Sequence, residues 1–118
     1  MVDAYDSRII GIADHYGFEG QSRQLVEEMA ELTVAVNKFW RNVLKCGKVE
    51  YSEDPAFRKM AMRSMEMKNI MEEIADVEIS LAQLRYLIGL EALINANIEM
   101  KVSRQVSRVL TERLSEGE

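Results

Sequence analysis

Two short segments of the chain carry the same arrangement of carboxylates. Gln24-Leu-Val-Glu-Glu-Met-Ala-Glu-Leu aligns with Asn69-Ile-Met-Glu-Glu-Ile-Ala-Asp-Val at an offset of 45 residues (73 − 28), so Glu28 matches Glu73 and Glu31 matches Asp76. At 100° per residue, the two acids of each pair stand about 60° apart on one helix face. Apolar residues lie beside them: Leu25, Met29 and Leu32 in the first segment, and Ile70, Ile74 and Val77 in the second. Two core-facing helices would therefore each present two carboxylates to a shared space.

Acidic residues on a helix are most often solvated surface charges, and local pairing separates the two cases. Glu27 has Arg23 four positions before it and Glu72 has Lys68 four before it, an arrangement that suits an exposed face. Glu28, Glu31, Glu73 and Asp76 have no Lys or Arg three or four positions away on either side. Each of these pairs sets like charges together next to apolar surface, so a cation must compensate them. Four carboxylates without nitrogen or sulfur donors suit a hard divalent ion, Mg²⁺ or Mn²⁺ in its place, over zinc or copper. Ala35 and Ser80, next on the same two faces, leave space there. A diiron carboxylate bundle would need Glu-x-x-His, and the sole histidine, His15, does not follow a glutamate by three.

A row of opposite charge follows later in the chain. Asn97, Lys101, Arg104 and Arg108 recur at i, i+4, i+7 and i+11 and line one helix face able to meet phosphate oxygens. Glu112 lies four residues beyond Arg108 and suits an exposed pair there, which leaves Asn97, Lys101 and Arg104 as the stronger substrate contacts. Acidic metal ligands together with a basic row fit a polyphosphate substrate. A nucleobase would also want an aromatic slot, and Phe39, Trp40 and Tyr51 are the candidates, with Trp40 also falling on an apolar stripe that suits core packing.

The elements that must hold these groups read as helices throughout. Apolar residues make up 47 % of the chain, with one proline and six glycines, which describes an all-α chain with few turns. A first helix is expected from near Asp6 to His15, ended by Gly17. A second should run from after Gly20 toward Lys45 along the stripe Leu25, Met29, Leu32, Val36, Trp40 and Val43, and stop at Gly47. Asp54-Pro55 reads as an N-cap followed by proline at the first helical position. A helical pattern then continues to Ile88 along Ile70, Ile74, Val77, Leu81, Leu84 and Ile88. Gly89 breaks it, and Glu91 to Leu114 form the last helix.

Length and charge bound the rest. The 118 residues fit a single helical domain spanning 1–118, a four-to-five-helix bundle that would bury its amphipathic faces best as a homodimer or homotetramer. Twenty acidic against fifteen basic side chains, net −5, argue against a nucleic acid polymer as partner. No membrane-spanning run and no signal-like start are present, so a cytoplasmic location is expected. Cys46, the only cysteine, excludes an internal disulfide and a thiolate zinc site, and reads as a half-buried bystander.

Glu27-Glu28-x-x-Glu31-Leu32 followed by Glu72-Glu73-x-x-Asp76-Val77 resembles the signature of the all-α nucleoside triphosphate pyrophosphohydrolases, the MazG-like family, and Asn97-x-x-x-Lys101-x-x-Arg104 is similar to the polar row that follows it in many members. The resemblance covers the second helix through the last. It implies a helical oligomer that hydrolyses a nucleoside triphosphate to the monophosphate and pyrophosphate. Glu28, Glu31, Glu73 and Asp76 would be the metal ligands, Lys101 and Arg104 would help hold phosphates, and Glu27 would support the ligands or serve as helper base. In such a reaction a glutamate not fully engaged by metal, Glu31 or Glu27, would accept the proton of the attacking water. The long stretch from Tyr51 to Lys68 departs from compact members. The competing reading is a noncatalytic helical oligomerisation module, or one that binds metal or nucleotide without turnover, whose methionine-rich faces bind partner helices.

Overall fold

A computed structural model describes residues 2–44 and 54–117, and every element among them is helical. Helix α1 runs Ser7–Phe39 and continues into a five-residue π segment, Trp40–Leu44; α2 is Pro55–Met62, α3 Met65–Ile88 and α4 Glu91–Glu116. The expected ends of the second helix at Lys45 and Gly47, and the readings of Cys46 and Tyr51, fall outside the described residues. The chain divides into two compact units, Met1–Leu87 and Ile88–Glu118.

Local chemistry sets the helix boundaries in the first unit. Asp6 caps α1 by accepting the Arg8 backbone N–H at 2.8 Å. Gly17 (φ 75°, ψ 175°) interrupts α1 where a break was expected, but the chain resumes helical geometry immediately after it, so the two expected helices form one kinked element. Asp54 caps α2, accepting from the N–H groups of Ala56 and Phe57, with Pro55 at the first helical position as expected.

The single helix expected from Pro55 to Ile88 is instead two. Ser64 ends the first by donating its hydroxyl to the Ala61 carbonyl at 2.7 Å, and starts the second by accepting the Met67 N–H at 3.2 Å. A hydroxyl that serves both ends makes a turn competitive with a continuous helix.

Two apolar clusters show that α1 and α3 run antiparallel. Ala35, Phe39, Val43, Ala61 and Ile70 pack with Leu32, Val36, Leu44 and Met67, joining the late part of α1 to the start of α3 under α2. Ala4, Ile9 and Ala82 pack with Val2 and Tyr86, joining the start of α1 to the late part of α3. The Tyr86 hydroxyl donates to Asp14 Oδ2 at 3.2 Å across the same end. Between these clusters lies the middle of both helices, where the repeated acidic segments fall.

In the second unit, α4 follows Gly89 (φ 72°) and ends at Gly117, and none of its residues is buried. Among the described residues no helix is long and apolar enough to cross a membrane.

Candidate metal centre

The face that α1 and the π segment after it pack inward includes Gln21, Leu25, Leu32, Ala35, Val36, Phe39 and Val43, with Glu28 half-buried among them. The matching face of α3 is Ile70, Val77 and Ser80, buried or half-buried, with Glu73 half-buried among them. Adding 45 to each of residues 25, 28, 32 and 35 gives 70, 73, 77 and 80, so the sequence echo is an echo in packing. Glu28 and Glu73 therefore sit within the packed faces, while Glu31 and Asp76 sit at the edge and are exposed.

One ligand oxygen from each of Glu28, Glu31 and Glu73 lies within 4.8 Å of the others. Asp76 stands outside that cluster, although its charge reaches Glu28. Burial is the largest influence on Glu28 and raises its pKa above the ordinary glutamate value. The Gln24 amide, donating to Glu28 Oε1 at 2.5 Å, opposes this, and the charges of Glu31 and Asp76 reinforce it.

Among the described residues, Glu28 Oε2 and Glu73 Oε2 are buried without a hydrogen-bond partner, as is Gln21 Oε1 on the same face of α1, and each costs stability unless something fills the role. A donor set of three clustered carboxylates, with oxygen ligands alone and two of their oxygens orphaned, fits Mg²⁺ or Mn²⁺. Beside them a cavity of about 470 Å³ is lined by Ala30, Glu31, Val34, Ala35, Lys38, Asn69 and Glu73. Ala35 and Ser80 are both buried at the positions expected to leave space.

The remaining predicted residues separate. Glu27 and Glu72 are exposed, as their pairing suggested, but Arg23 pairs at 3.1 Å with Glu19 and not with Glu27. Trp40 is 60 % exposed, so its expected place on the core stripe is wrong; Phe39 occupies the core and is closed to a base. Trp40 instead lines a second cavity of about 460 Å³ with Val34, Asn37 and Arg41. His15 is exposed and meets Tyr16 edge-on, with ring centroids 4.7 Å apart. Asn97, Lys101, Arg104 and Arg108 are exposed on α4, in the second unit. There the Asn97 amide donates to the Leu93 carbonyl at 2.9 Å, and the Arg104 guanidinium meets Met100 Sδ at 3.7 Å.

Lys38 and Asn69, which line the groove, were missed in the sequence. Lys38 follows Glu31 by seven residues, two helical turns along the same face, and that spacing was the available signal.

The fold and site define an all-helical protein with an acidic cluster between two antiparallel helices that repeat one pattern. Searches against family models, curated proteins and solved structures find no match to this chain.

Proposed function

We propose that the chain is a MazG-like, Mg²⁺-dependent nucleoside triphosphate pyrophosphohydrolase, cytoplasmic and assembled as a homodimer or homotetramer. The observation that carries this reading is the pair of orphaned oxygens, Glu28 Oε2 and Glu73 Oε2, held at equivalent positions of two packed helices. Burying carboxylates without partners is destabilising, and such sites are retained where a ligand completes them.

Glu28, Glu31 and Glu73 would hold the cation, with Asp76 adding charge from the edge. A bound divalent ion supplies charge neutralisation for a triphosphate and Lewis acidity toward its phosphoryl oxygens and the attacking water. Glu28 surrenders any residual proton when the site is charged, which makes binding stronger as pH rises. Glu31, which lines the groove, and Glu27, both exposed, are the groups able to accept a proton from water. Lys38 offers a cation to the phosphates on the same side. Water adds to the α-phosphorus, the α–β anhydride bond breaks, and pyrophosphate leaves with the bonding pair.

The test is pyrophosphate release from a panel of ribo- and deoxyribonucleoside triphosphates, with Mg²⁺ and with chelator, for the native chain and Glu73→Gln. Metal-dependent release that the substitution abolishes supports the proposal; a folded protein silent on the whole panel refutes it. The exposed apolar residues of α4 favour the second reading, a noncatalytic oligomerisation module, which predicts no Mg²⁺ effect on melting.

A further inference from the structure

A carboxylate meets a cation through one oxygen or through both, and Mg²⁺ and Ca²⁺ differ in which they take. Mg²⁺ demands a near-ideal octahedron of single oxygens, whereas Ca²⁺ accepts about six to eight ligands and readily takes a carboxylate by both of its oxygens. The two oxygens of Glu28 are already unlike. Oε1 accepts from the side-chain amide of Gln24, one helical turn earlier on α1, at 2.5 Å. Oε2 is buried and has no hydrogen-bond partner among the described residues.

The repeat supplies a comparison within the same chain. Asn69 stands where Gln24 does, four positions before Glu73. Its side chain is one methylene shorter, and it lines the groove together with Glu73. Of the two amides, Gln24 is the one that holds the carboxylate four positions ahead.

We infer that Gln24 is a positioning residue for the cation: it occupies Glu28 Oε1, leaves Oε2 as a single-oxygen ligand, and thereby favours Mg²⁺ over Ca²⁺. The inference rests on the metal site proposed above and is independent of the reaction run there. Partners that orient metal ligands from behind typically contribute roughly 10–100-fold to metal affinity. A glutamine four positions before an acid also supports a helix slightly by itself. Loss of that support alone lowers the melting temperature and leaves the ratio of the two ions unchanged, because both ions need the same folded helix. Gln24 is exposed, so a substitution there removes no core packing.

The experiment is calorimetric titration of the full chain with Mg²⁺ and, separately, with Ca²⁺, without nucleotide, for the native protein, Gln24→Met and Asn69→Gln. Gln24→Met keeps an unbranched side chain and loses the amide. It is expected to bind Mg²⁺ about tenfold more weakly and to keep its Ca²⁺ affinity within about threefold, since both Glu28 oxygens become open to the larger ion. Asn69→Gln gives the second amide the reach of the first and should move the ratio toward Mg²⁺. Undiminished Mg²⁺ binding by Gln24→Met, equal losses for the two ions, or an Asn69→Gln ratio that moves toward Ca²⁺ overturns the inference. A native chain that binds neither ion refutes the metal site itself and the inference with it. A native chain that binds Mg²⁺ without releasing pyrophosphate refutes only the reaction, and the titrations then still decide the role of Gln24.

Discussion

Replacing Glu28 with glutamine should make the metal-free protein more stable. Glu28 has its ligand oxygen within 4.8 Å of those of Glu31 and Glu73. At that distance two unit charges repel by about 1 kcal/mol in a water-like dielectric, the appropriate limit because Glu31 is exposed. Two such pairs, screened roughly twofold at physiological salt, leave about 1 kcal/mol to be relieved when Glu28 loses its charge. The sign agrees with the titration of Glu28. Its pKa is raised in the folded protein, so its ionisation opposes folding as pH climbs from the ordinary glutamate value through the folded one, and the penalty persists at neutrality. For a chain of this length 1 kcal/mol corresponds to about 4 °C in melting temperature. Differential scanning calorimetry at neutral pH, in chelator and then in Mg²⁺, gives the assay. Glu28→Gln should melt above the native chain in chelator, and Mg²⁺ should raise only the native chain, by about 2.7 kcal/mol at a hundredfold excess over the dissociation constant. A variant that melts lower in chelator, or gains as much from Mg²⁺ as the native chain, refutes the reasoning.

The helix boundaries give further tests. Ser64→Ala should cost about 1 kcal/mol by removing the cap of α3, read as a lower denaturation midpoint with unchanged slope. Gly17→Ala should cost about 1–2 kcal/mol, because φ of 75° is strained for any residue with a Cβ, and chemical denaturation would measure it. Asp6, held at a pKa of about 2 chiefly by its hydrogen bond from the Arg8 side chain, stabilises α1 fully above the ordinary aspartate range and loses this as pH falls through about 2. Melting curves of the native chain and Asp6→Asn should therefore converge between pH 4 and pH 2.

The helical fold was legible because glycine, proline and capping residues punctuate the chain at Gly17, Asp54-Pro55 and Gly89. The break at Ser64 was not, because a lone serine between apolar runs carries no mark of whether its hydroxyl caps or faces solvent. The direction of the core was read in part, since Leu25, Leu32, Val36, Val43, Ile70, Val77 and Leu84 of the expected stripes are buried or half-buried, and the misses lie to one side. Assigning the inward stripe by apolar type selected Met29, Trp40, Ile74, Leu81 and Ile88, all of which are exposed. The packed faces of both helices, through Glu28 with Ala35 and through Glu73 with Ser80, are rotated by about 40–50° from that stripe. Charged and small residues pull an apolarity-weighted reading away from the packed face when that face holds a site. The acidic residues themselves were found through their repeat, which does not depend on hydrophobicity. Nothing in the sequence relates α4 to the carboxylates, because spacing along one helix defines a face and not what that face meets.

The repeat has a last consequence for direction. A cage built from two equivalent halves, exchanged by reversing the chain sense of α1 and α3, cannot by itself tell the head of a ligand from its tail. The equivalence fails at residues 31 and 76, since Glu31 joins the carboxylate cluster and Asp76 stands outside it, and again at residues 38 and 83, where Lys38 borders the groove and its counterpart Gln83 is buried and neutral. The second mismatch gives the cage a positive pole, so an elongated anion bound there through a cation would have one favoured orientation, and Lys38→Gln would weaken that preference.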